Sequence, residues 1–182
     1  MPLVSVDVQA LPVVHSEDVL SLISGVGMTR YQLKAKVLDI YSNSGEAYWY
    51  FPEKIYVERY DSLFLAIGSI IADTAYYFER KELWHVIGNV VVKTLEGRIF
   101  ETSELFWDVK APPNTVNAFY TDKPVKVTEP DGNIYYGLKG FRADQDLIIS
   151  RLFEMKAEFY VEESTDSLRQ DTAVRSDSLP NP

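Results

Sequence analysis

Trp84–Gly97, WHVIGNVVVKTLEG, is the stretch from which the fold is read. It enters from an aromatic residue, steps through Gly88-Asn89, alternates valines at Val90 and Val92, and closes on the acidic-glycine pair Glu96-Gly97. Alternation followed by such a pair is the pattern of a strand running into a hairpin turn. The arrangement recurs at a spacing of 35 residues: Trp49, Ile55, Val57, Asp61, Ser62 and Phe64 precede it, and Phe119, Val125, Val127, Asp131, Gly132 and Ile134 follow. A fainter copy stands at Leu20, Leu22 and Gly27. A fixed period in this range implies supersecondary units that bury a shared apolar face by stacking.

Other segments carry the same period-two signal. Tyr31, Leu33, Ala35 and Val37 alternate with Gln32, Lys34 and Lys36, giving one wet and one dry face. Pro52 places a bulge or edge after Tyr48–Phe51. ADTAYYFERKEL, 72–83, has helix-compatible charges, but its counterpart 98–107 follows a hairpin turn and is rich in strand formers, so strand is preferred. Leu147–Val161 is expected as a terminal strand. The reading is an all-β protein, a barrel, jelly roll or solenoid of short antiparallel strands with open edges at both ends. Residues 1–27 form a leader in which Val4–Val8 either adds to a sheet edge or stays mobile, 28–161 the folded domain, and 162–182 a polar tail expected to be disordered.

Composition narrows the function. The 182 residues are 46% hydrophobic, enough for one well-buried domain. A formal charge of -9, with Lys and Arg scattered, argues against nucleic acid as partner, since phosphate backbones need clustered cations. Zero cysteines remove disulfides and thiolate sites. No run reaches the ~20 apolar residues of a membrane-spanning helix.

Catalytic patterns are sparse. The two histidines are His15 and His85, and His85 alternates with Trp84 and Val86 as a strand-face residue. No nucleophile elbow, zinc-protease helix or phosphate loop is present. Glu101 with Glu104, or Asp73 with Asp108, are the carboxylate pairs a glycoside hydrolase would need, while Asp61, Glu96 and Asp131 read as turn caps. Asp144 and Asp146 lack the remaining oxygen ligands of a calcium loop. The expectation is no enzyme, no cofactor and no metal.

Aromatics cluster as neighbours: Tyr48, Trp49, Tyr50 and Phe51, then Tyr76, Tyr77 and Phe78, then Trp84, Phe106-Trp107, Phe119-Tyr120 and Tyr135-Tyr136. Neighbours on a strand point to opposite faces, so one of each pair lines a surface, rim or groove. Ordinary sheet packing and a channel for a lipid or sugar remain alternatives.

The order of LKAKVLDIY (33–41), IIADTAYYF (70–78), WHVIGNVVVKTLEGRIFETSELFWD (84–108), TDKPVKV (121–127) and GLKGFRAD (137–144) resembles the LptC family, related to LptA and OstA-like domains. The resemblance covers about residues 28–150. It implies a twisted β jelly roll in the periplasm that accepts lipopolysaccharide acyl chains and passes them from an LptB/LptF/LptG-like ABC transporter to an LptA-like bridge protein. The family's inner-membrane anchor has no counterpart in this sequence, so attachment is expected through a segment outside it. The apolar groove is then assigned to Leu33, Ala35, Val37, Ile55, Val57, Val90, Val92, Val125 and Val127, with a filled core of the same residues as the alternative. Leu147, Ile149, Arg151, Phe153 and Phe159 are assigned to the edge that receives the bridge protein, and Gly140 to backbone geometry at a bend. A carbohydrate-active or carbohydrate-binding β protein and an architectural cell-surface repeat are the competing functions.

Overall fold

A computed structural model describes residues 11–25, 28–42, 45–113 and 115–160. Every regular element in them is a strand: β1 (Val14–Gly25), β2 (Met28–Tyr41), β3 (Tyr48–Phe51), β4 (Ile55–Tyr60), β5 (Ala66–Ala72), β6 (Thr74–Phe78) and β7 (Leu83–Thr94), then β8 (Ile99–Asp108), β9 (Phe119–Thr121), β10 (Val125–Thr128), β11 (Ile134–Gly137), β12 (Phe141–Ala143), β13 (Ser150–Leu152) and β14 (Met155–Glu158). All pairings are antiparallel and join one 14-stranded sheet. It is the all-β architecture of a jelly roll, and among the described residues no helix is long and apolar enough to cross a membrane.

The sheet is folded lengthwise. One half runs β1, β2, β4, β5, β7, β8, β10, β11, β14; the other runs β1, β2, β3, β6, β7, β8, β9, β12, β13. β1, β2, β7 and β8 pass through both halves, whereas the remaining crossings are each broken into two strands. The breaks fall in a row. They lie at Pro52–Lys54, Asp73, Asp122–Pro124, Leu138–Gly140 and Phe153-Glu154, beside the bulge where Gly88 and Asn89 of β7 oppose only Ser103 of β8. The 35-residue spacing is carried by these corners and the turns after them, not by separate stacked units: 49–57 breaks at Pro52, 84–92 bulges within one strand, and 119–127 breaks before Pro124.

Polar pairs occupy the corners. Lys36 Nζ meets Asp18 Oδ1 at 2.5 Å, Asn89 Nδ2 donates to Asp73 Oδ2 at 2.7 Å, and Lys139 pairs with Glu154. The corner also shifts the side-chain parity of β2, so Leu33 and Ala35 are followed inward by Leu38 and not by Val37, which is half-buried. Val37 is therefore not on the dry face: alternation places it there only in a straight strand, and the bend at Lys36 rotates it away.

Between the halves lies the core. Leu33, Val57, Ile70, Val92, Phe100 and Val127 stand in one cross-strand row of the first half. Each buried side chain of this size contributes roughly 1.5–3 kcal/mol. The alternating run 18–22 lies in β1, so the sheet begins before residue 28. Val4–Val8 and the tail 162–182 lie outside the described residues.

Candidate functional site

The assigned groove residues take three situations. Leu33, Ile55, Val57, Val90, Val92, Val125 and Val127 are buried on the inner face, Ala35 is nearly so, and Val37 has turned away. Opposing rings bring the halves together, with Phe100 and Phe141 centred 5.1 Å apart and Tyr31 edge-on to Trp107 at 5.2 Å. The interior is filled at those points. Open volume remains in a largely apolar groove of about 670 Å³ beside the corner of β1, β2 and β4, where inward Val19, Ala35 and Ile55 meet outward Leu20, Tyr56 and Ile71.

The opposite side, where the half-strands end, is crossed by the connection between β12 and β13. Residues Asp144–Ile149 form a strap from the second half toward the first. Asp144, buried, accepts from the amides of Ile148 and Ile149 at 2.9 and 3.2 Å, which curls the strap over its own carboxylate. Leu147, with φ +59°, is 4% exposed and belongs to the core. Arg59 Nη1 donates to the Gln145 carbonyl at 2.6 Å and Arg98 Nη1 to the Leu147 carbonyl at 3.0 Å, fastening the strap to β4 and to the start of β8. Cavities of about 250 and 280 Å³ flank it, the first beside Arg59 and Asp146, the second beside Arg98, Leu147 and Ile148.

This corrects the assignment of one continuous edge from Leu147 to Val161. Leu147 is buried in the strap and Ile149 ends it. Arg151 lies in β13, Phe153 at the corner and Phe159 beyond β14, and Val161 is outside the described residues. Among the described residues the sheet ends on open edges: there β1 pairs only with β2, β13 only with β12 and β14 only with β11. Exposed Leu20 and Leu22 lie on the first; exposed Met155 and Phe159 lie on or beside the second. Gly140, φ +108°, sits at the corner between β11 and β12, where an added Cβ would collide with the Thr121 carbonyl.

The aromatic pairs split as strand alternation requires. Trp49, Tyr77, Trp84, Trp107 and Phe119 face inward across one row of the second half, and Tyr50, Tyr76, His85, Phe106 and Tyr120 form the row behind it. The outer rings stack on one another: Tyr50–Tyr76 at 4.8 Å, His85–Phe106 at 4.1 Å and Phe106–Tyr120 at 5.2 Å, with interplanar angles of 22°, 10° and 11°. Their faces are spent on each other. A sugar needs a free ring face, and this stacking leaves few of them.

The polar candidates have structural partners. His85 Nε2 lies 2.7 Å from Glu104 Oε1, and Glu101 pairs with Lys126 at 3.0 Å. Asp73 holds the Asn89 corner, while Asp108 receives the Lys110 amide at 2.9 Å at the far end of β8. Asp61 accepts from the Leu63 and Leu65 amides, both at 2.8 Å, and Asp131 from Asn133 at 3.0 Å, as turn caps do. The strap and its fastening residues Arg59, Arg98 and Gln145 carry no local sequence signal beyond an isolated polar run.

The family described as Lipopolysaccharide-assembly, LptC-related, matches residues 19–143, from the middle of β1 to the end of β12. A comparison with curated proteins finds no match.

Proposed function

Because the chain belongs to the LptC-related family of lipopolysaccharide-assembly proteins, whose role is in lipopolysaccharide transport, we propose that it carries lipopolysaccharide acyl chains between its two half-sheets. In this reading the chains arrive from an LptB/LptF/LptG-like inner-membrane ABC transporter and leave to an LptA-like bridge protein. One observation carries it: a single sheet, folded along a row of corners so that its apolar faces meet, with both terminal edges unpaired among the described residues. Tails transferred from water to such an interior gain about 0.8 kcal/mol per methylene. Several tails bind tightly without polar contacts, so release must be driven from outside, as by an ATPase.

The packed contacts between halves define the empty state. Tails enter at the open groove beside Ala35 and Ile55, and room for them comes from the halves parting on the strap side. The outer side of β1 offers its amides and carbonyls to the transporter, and β13 and β14 offer theirs to the bridge protein, by addition of a strand. The site of action is the periplasm, with attachment to the inner membrane through a segment outside this sequence.

Photo-crosslinking tests the path. A photoreactive amino acid at Ala35 or Ile55 should label lipopolysaccharide during transport, whereas one at exposed Lys81 should not. Equal labelling at all three, or none at the first two, rejects the path.

A further inference from the structure

Arg59 brings a guanidinium into largely apolar surroundings with a single long ion pair, to Asp146. Its side chain is 13% exposed and its Cζ stands 5.7 Å from the Trp107 ring centroid and 6.0 Å from that of Phe119. Nη1 donates to the Gln145 carbonyl, and Nε is buried without a hydrogen-bond partner. The nearest carboxylate, Asp146, lies 3.5 Å from Nη2 and is itself 64% exposed. Arginine cannot shed its proton, so burial with one donor idle and only a long contact to an exposed carboxylate is poorly compensated, and a stronger anion at Nη2 would improve it.

The same side chain lines the 250 Å³ cavity at the mouth between the half-sheets, together with Arg30, Tyr60, Ser62 and Asp146. Asp61 also borders the cavity, but its Oδ1 is engaged by two backbone amides. We infer that this cavity is an anion site, in which Arg59 and Arg30 take a phosphate group borne on an amphiphile whose tails lie between the half-sheets. Asp146 fills the anion's place when no ligand is bound. The inference rests on the lipid-carrying reading and adds to it the recognition of the polar head. Phosphate suits the fork because it presents several acceptor oxygens and more charge than a carboxylate. Its arrival would also draw Arg59 away from Asp146 on the strap.

The test uses two lipids with identical tails, dioctanoyl phosphatidic acid and dioctanoylglycerol, and inorganic phosphate as a third probe. Each is titrated into the full chain while NMR follows the indole N–H of Trp107, which lies under Arg59. Phosphatidic acid should bind about ten-fold or more tighter than dioctanoylglycerol, Arg59→Gln should abolish the difference, and Asp146→Asn, at an exposed position, should enlarge it. Equal binding of the two lipids, with no response to phosphate, overturns the inference. A response to phosphate alone, lost in Arg59→Gln, keeps the anion site and assigns it to free phosphate. If neither lipid binds, the lipid-carrying reading fails, and the phosphate arm still decides the site. Should Arg59→Gln not fold, Arg30→Gln, at an exposed residue, must reduce the phosphate preference several-fold.

Discussion

Trp107 donates its indole N–H to the side-chain oxygen of Gln145 at 3.0 Å, and the amide nitrogen of the same side chain donates to the Asp108 and Val109 carbonyls at 2.7 and 3.3 Å. One glutamine thus joins the strap after β12 to the end of β8. Gln145→Ala leaves an indole donor and a carbonyl of a closed region without partners, and should lower stability by about 1–3 kcal/mol. Chemical denaturation reads this as a lower midpoint at unchanged slope. A loss below about 0.5 kcal/mol, the size expected of an unremarkable surface change, would mean water replaces the glutamine and the strap is not fastened there.

Two glycines separate backbone strain from collision. Gly45 has φ +90° and open space where a Cβ would stand, whereas Gly140 has φ +108°, the Thr121 carbonyl in the way and the Asp122 Cα at 2.9 Å. Gly45→Ala should cost about 1–3 kcal/mol from the left-handed conformation alone. Gly140→Ala must add a backbone shift at the corner and should cost more, or prevent folding. Equal midpoints for the two variants would show that the β11–β12 corner relaxes freely.

What the sequence disclosed follows from what is local. Alternation at Leu33–Ala35, Ile55–Val57 and Val125–Val127 reports which face is dry, and the turn residues at Asp61, Gly97 and Gly132 report where strands reverse. The order of motifs through Asp144 reports the family. The corners were less legible. Val37 reads as dry from alternation alone, because the parity change falls at Lys36, opposite the point where Asp18 of another strand turns to φ +50° and drops out of the register, and the 35-residue spacing reads as stacked units although it marks bends in a continuous sheet. The strap was hidden because its partners, Arg59, Arg98 and Trp107, are 38 to 86 residues from the groups they bind. No window along the chain contains that information.

Tyr60 gives a pH prediction. Its hydroxyl donates to Glu58 Oε2 at 2.5 Å, and this bond, followed by desolvation, raises the phenol to about 12. A folded-state value above the unfolded one means that the native protein holds the proton more tightly. The resulting stabilisation is present below pH 10.0 and is lost as pH rises toward about 12. Several tyrosines are raised, Tyr60 to about 12, so ultraviolet titration should show a late-ionising group, and Glu58→Gln should bring down Tyr60 and, with it, Tyr56, which also bonds Glu58. A profile unchanged by Glu58→Gln would remove the carboxylate as the cause.

The outer aromatic ladder yields a prediction that also bears on function. His85 lies 4.1 Å from Phe106 with rings 10° apart, and Phe106 continues the stack to Tyr120, where Arg142 stands 5.5 Å from the ring centre. These strands are short beyond β8, since β9 and β12 each span only three residues, and backbone pairing alone gives little resistance to fraying there. Cross-strand stacking supplies the rest. A double-mutant cycle of His85→Ala and Phe106→Ala should give a coupling of about 0.5–1.5 kcal/mol toward stability, the range for aromatic pairs beyond their buried area. Phe106→Ala should also speed amide exchange in β9 and β12 more than in β4, which lies across the sheet. A ladder serving as a sugar platform predicts the reverse: near-zero coupling, unaltered exchange, and loss of oligosaccharide binding on removing Tyr76. Those outcomes would favour the carbohydrate alternative, because they would show that the ring faces are available to a ligand and not committed to each other.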